Sequence, residues 1–101
     1  DTKLDFNQQA SALEARVRGL APTPGAWFEY QGERFKVLRA EVVEGRGNPG
    51  LIISEDLTIA CGEKALNILE IQRQGRDIMS LSDLIRGFKF IKGDNVNQST
   101  R

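Results

Sequence analysis

At 101 residues the chain has the length of one small domain, and its 40% hydrophobic content suits an ordinary globular core. Its 14 basic and 14 acidic residues cancel, so any attraction to nucleic acid or membrane must come from local clusters of charge. There is no histidine, which excludes Ser-His-Asp and Cys-His machinery and an ordinary zinc site.

Asn7 reads as an N-cap, followed by Ala10, Leu13, Val17 and Leu20 at helical spacing. The expected first helix covers about residues 8 to 19 and stops at Gly19. Glu14 and Arg18 stand four apart on it, in the favourable order. Pro22-Thr23-Pro24-Gly25 is a stiff elbow, because proline fixes φ, extends the residue before it and leaves glycine to make the turn. Trp27 to Tyr30 is a short aromatic strand. Gln31-Gly32-Glu33 is a tight turn into a second strand, Arg34 to Val43.

In that second strand the apolar pattern changes parity. Phe35 and Val37 share one face, whereas Leu38, Ala40 and Val42 occupy the other. Such a slip predicts a bulge near Val37-Leu38, with Arg34, Lys36, Arg39 and Glu41 pointing outward. Glu44 to Gly50 is a glycine-rich loop, expected to be mobile. Leu51 to Ile53 and Leu57 to Cys61 are short strands joined by Ser54-Glu55-Asp56. Ala65 to Gln72 is another strand with the same slip, Leu66 and Ile68 followed by Leu69 and Ile71. Ser80-Leu81-Ser82-Asp83 fits a capping box, opening a second helix that ends at Gly87. Phe88 to Val96 is expected to lie against the barrel.

Five or six short, bent strands with two short helices predict a mainly β fold, a small open Greek-key barrel of the OB type. An α+β roll uses the same elements, and strand order is not legible. Asp1 is no initiator methionine, so we expect a piece of a longer parent. Residues 1–7 would be an interdomain linker remnant, residues 8–96 the barrel domain and residues 97–101 a disordered tail. No apolar run approaches membrane-spanning length and no signal peptide is visible, so no membrane partner is expected. The single cysteine, Cys61, suits a reducing cytoplasm and reads as a small core residue.

Three segments resemble the C-terminal domain of methionyl-tRNA formyltransferase. Leu4-Asp5-Phe6 with the first helix resembles that family's I-D-W entry. Pro22-Thr23-Pro24-Gly25-Ala26-Trp27 resembles its elbow. Leu69 to Met79 is similar to its L-x-x-L-Q-x-x-G-K-x-x-M run. Arg76 stands where the family usually has lysine and Phe6 where it usually has tryptophan. The resemblance implies a catalytically inert module holding initiator methionyl-tRNA for an N-terminal formyltransferase domain of the same parent. That domain would use 10-formyltetrahydrofolate and formylate the methionine amino group, and the module itself would bind no cofactor. Related formyltransferases or hydrolases acting on amino-sugar nucleotides or formyltetrahydrofolate, and a purely structural module, are the alternatives.

No residue here is expected to be catalytic and none to bind a metal. The candidate tRNA contacts are the cations in two groups: Arg34, Lys36 and Arg39 on the second strand, then Arg73 and Arg76 with Arg86, Lys89 and Lys92. Phosphate contacts supply affinity without reading sequence. The competing reading is a solvated face balanced by Glu29, Glu33 and Glu41. Trp27, Phe28 and Tyr30 read more readily as core and elbow packing than as a base-stacking platform.

Overall fold

The structure is a computed structural model, and it describes residues 2–96. The expected tail lies outside these residues. Helix α1 (Ala10–Leu20) is followed by β1 (Ala26–Tyr30), β2 (Glu33–Val43), β3 (Ile52–Ser54), β4 (Thr58–Ala60), β5 (Ala65–Arg73), β6 (Ile78–Ser80) and α2 (Leu81–Leu84). The sheet order is β1-β2-β5-β4-β3, with β6 paired to β5 and every strand pair antiparallel. Strands β3, β4 and β5 follow one another as neighbours while β2 lies beside β5, which is the Greek-key arrangement. The architecture is the expected mainly β one, a small, open, curled sheet of the OB type with two helices.

The curl has a local cause. In the β2–β5 ladder Val37 pairs with Ile71, Arg39 with Glu70 and Ala40 with Ile68. Leu38 and Leu69 are both passed over. The two parity slips of the sequence are therefore the two sides of one irregularity, which lets Val37 and Ile71 above it and Ala40 and Ile68 below it all face the core. The β1–β2 hairpin turns on Gln31 and Gly32, both at positive φ (54° and 78°), as a two-residue hairpin favours.

All five phenylalanines, Phe6, Phe28, Phe35, Phe88 and Phe90, join one aromatic cluster with Tyr30. Phe28 and Phe35 are direct cross-strand partners, stacked at 5.5 Å. Residues 3 to 6 add to this core: Leu4 and Phe6 are buried, Lys3 bridges to Trp27, and Leu4 N–H donates to Trp27 O at 2.7 Å. The 93–96 segment runs along β3, with Gly93 N–H on Ile52 O, Ile52 N–H on Asp94 O and Val96 N–H on Gly50 O.

Three local expectations are corrected. Helix α1 starts at Ala10 with Gln9 as its N-cap and no side-chain cap. Its first N–H is satisfied by Glu63 O at 3.0 Å, while Asn7 instead bonds the Asp5 carboxylate. The helix runs through Gly19 to Leu20, and its end is set by Ala21, held extended (φ −70°, ψ 147°) ahead of Pro22. At α2, Asp83 N–H does donate to Ser80 Oγ, but the helix stops at Leu84 and turns onward through Gly87. Strand β6 is an addition to the sequence reading. The 44–50 loop packs on the sheet, since a Cβ at Gly45 or Gly47 would press on Ile53, Ala65 or Leu51.

Candidate nucleic-acid interface

Pleating puts Trp27 and Glu29 of β1 on the outer face of the sheet, opposite Lys36 and Arg34 of β2. Lys36 in turn pairs with Gln72 of β5. This end of the sheet forms a groove of about 390 Å³ lined by Trp27, Arg34, Lys36 and Gln72, with Pro24 and the Arg73-Gln74-Gly75 turn at its rim. The hairpin and the β5–β6 turn thus bring members of both cation groups to one place.

The elbow and strand β1 fix the two cations in different ways. Trp27 is half-buried, and the Arg34 guanidinium carbon lies 3.9 Å from its ring centre, with Lys3 Nζ at 5.5 Å. Lys36 lays its methylenes across Gly25 and reaches Pro22 O at 3.4 Å. A Cβ at Gly25 would sit 2.5 Å from Lys36 Cδ, and φ there is +84°. Glycine is therefore needed at 25 both for the turn and for the room it leaves Lys36.

Of the eight candidate cations, three are held by acids of the domain itself. Arg73 bonds Glu33 through two nitrogens and stacks on Phe88 at 4.5 Å. Glu33 raises the Arg73 pKa and fixes its charge. Arg39 pairs with Glu70 at 3.6 Å, a partner the sequence reading did not anticipate, and Arg86 reaches Asp83 at 4.0 Å. Among the described residues, Arg34, Lys36, Arg76, Lys89 and Lys92 have no carboxylate within 4.0 Å.

Lys89 and Lys92 line a second groove of about 290 Å³ with Glu55, Ile85, Phe90 and Ile91. Their segment is anchored by Tyr30, whose hydroxyl donates to Asp94 Oδ2 at 2.6 Å and accepts from Ile91 N–H at 3.1 Å. Burial is the main cause of the raised Tyr30 pKa, with the Asp94 hydrogen bond next. Phe28 and Tyr30 belong to the core as expected, whereas Trp27 faces outward as a platform for cations. The sequence carried no signal for Lys3 at this site, because its place depends on the parallel bridge to Trp27.

The fold is that of a small, open, curled Greek-key β domain, and its groove is lined by cations only partly paired with acids. The chain belongs to the formyl transferase C-terminal domain family, whose model matches residues 1–89. Methionyl-tRNA formyltransferases are among its relatives. It is 48% identical over 90 residues to that of Paramagnetospirillum magneticum, covering 89% of this chain and 30% of that protein. It is 42% identical over 103 residues to that of Rhodopseudomonas palustris, covering 98% of this chain and 33% of that protein. The chain thus spans about a third of the length of these relatives. Among solved structures, HypX from Aquifex aeolicus in complex with tetrahydrofolic acid has the same fold. Its TM-score is 0.68 at 18% identity, over 83% of this chain and 16% of that one. No helix among the described residues is long and apolar enough to cross a membrane.

Proposed function

We propose that this domain is the tRNA-holding accessory part of a methionyl-tRNA formyltransferase. It grips initiator methionyl-tRNA in the cytoplasm so that the aminoacyl end reaches a catalytic domain elsewhere in the parent chain. That catalytic domain takes the formyl group from 10-formyltetrahydrofolate and transfers it to the methionine amino group. The observation that carries this reading is that Arg34 and Lys36 line one groove, that Arg76 follows Gly75 of its lining in the chain, and that none of the three has a carboxylate partner among the described residues. With zero net charge overall, such a cluster is what would attract a polyanion. Backbone N–H groups and cations that meet phosphates fix orientation without reading bases, which suits a domain that presents tRNA to a partner.

The test is filter binding of the chain to an initiator tRNA transcript across a salt series. Wild type should bind weakly, with affinity falling as salt rises. The triple variant R34A/K36A/R76A should bind more weakly and lose about 2 to 3 from the slope of log K against log salt. An unchanged slope in that variant, or no salt-dependent binding by wild type, would overturn the reading.

A further inference from the structure

Arg34 has a carboxylate directly across the ladder and does not use it. Glu29 pairs with Arg34 in register, yet no ion pair forms between them. The guanidinium lies instead on the indole of Trp27, at 3.9 Å from the ring centre. Trp27 is half-buried and stands on a strand, so the platform beside the groove is fixed. A guanidinium held over a ring, with no carboxylate partner, keeps N–H donors free, and their fork matches the paired oxygens of a phosphate. Two residues along β2, roughly 7 Å away at the backbone, Lys36 lines the same groove with its stem seated on Gly25. Both side chains are thus restrained before any ligand arrives, which lowers the ordering cost of binding.

We propose that Arg34 and Lys36 form a two-cation cradle for a phosphate group, and that Trp27 is its positioning residue, acting through Arg34. Taken with the RNA-binding reading above, on which this part rests, the phosphate belongs to an RNA backbone. An indole with a cation already on it is not a free stacking surface, so Trp27 contributes by orienting charge and not by holding a base. Lysine at 34 would keep the charge but lose both the planar cation over the indole and the two-pronged donor edge.

The chain has one tryptophan, so its emission reports directly on this stack. Emission is titrated with initiator tRNA transcript and, separately, with inorganic phosphate. Filter binding to the same tRNA compares R34A, R34K, W27L, W27F and W27L/R34A, with melting curves to confirm folding. The expected results are a saturable emission change with tRNA and a loss of about five- to tenfold in affinity for R34A, R34K and W27L alike. W27F, which keeps an aromatic face, should stay within about twofold of wild type. The double variant W27L/R34A should be no weaker than R34A, because both act through one group. Additive losses, or wild-type affinity in W27L or R34K, would overturn the positioning role while leaving RNA binding intact. If wild type binds no tRNA at any salt, the RNA reading falls and the phosphate titration decides the cradle. A saturable change abolished in R34K then supports a site for a free anion, and no change removes the cradle as well.

Discussion

Burial pushes the Cys61 thiol up to about 12 from an ordinary 9.0, while its sulfur hydrogen donates to Ile59 O at 3.4 Å. An unfolded chain loses that proton near pH 9 and the folded chain only near 12, so between those values the unfolded state holds fewer protons. Stability is then complete below about pH 9 and falls above it by about 1.4 kcal/mol per pH unit. Tyr30, also raised, adds to the decline from 10 upward. Urea midpoints measured from about pH 8 to about pH 11 should show this decline, and C61A should flatten the part contributed by the thiol. The chemistry of single residues was largely legible: a lone cysteine in an apolar strand reads as core, and it is. Pairing was not. Arg73 carries the same charge in the sequence as Arg76, but Glu33 claims it from 40 positions away, and Arg39 finds Glu70 across the ladder. Trp27 read as core because parity alone could not tell which face of a five-residue strand would be covered.

Elements were legible where the signal was local. The β1–β2 hairpin turn, the elbow and the Ser80 cap all rest on residues within a few positions of one another. The start of α1 was misread because its partner is remote: Glu63 O receives Ala10 N–H, and Gly62 N–H donates to Gln8 O. Strand β6, three residues long with Ile78 half-exposed, offers no alternation to read. The turn that docks the helix depends on Gly62, where a Cβ would collide with the carbonyl oxygen of Asn7. Backbone cannot step aside as a flexible side chain can. We expect G62A to destabilise the domain by about 1–3 kcal/mol, read as a lower urea midpoint, with the start of α1 losing hydrogen-exchange protection first.

At the scale of the molecule, the aromatic cluster ties residues from the first strand bridge to the 88–96 segment into one core. Phe6, fully buried and edge-on to Phe28 at 6.4 Å, is its most N-terminal member. F6A should therefore cost about 3–5 kcal/mol, followed by urea unfolding through Trp27 emission. Against a total stability of about 5–15 kcal/mol for a domain, that loss is a large fraction of the whole. Strand order was out of reach of the sequence, since nothing local makes β2 a neighbour of β5. The bent shape was within reach, because a strand cannot keep two opposite apolar faces and stay straight. Leu38 and Leu69 carry a consequence for how the chain tolerates change in length. Excising either leucine alone would restore plain alternation on its own strand and leave the extra residue on its neighbour, whereas excising both would restore plain alternation on each. The doubly shortened protein would keep its partners and lose its bend, exchanging a closed-up platform for a flatter sheet whose borders invite association with other copies.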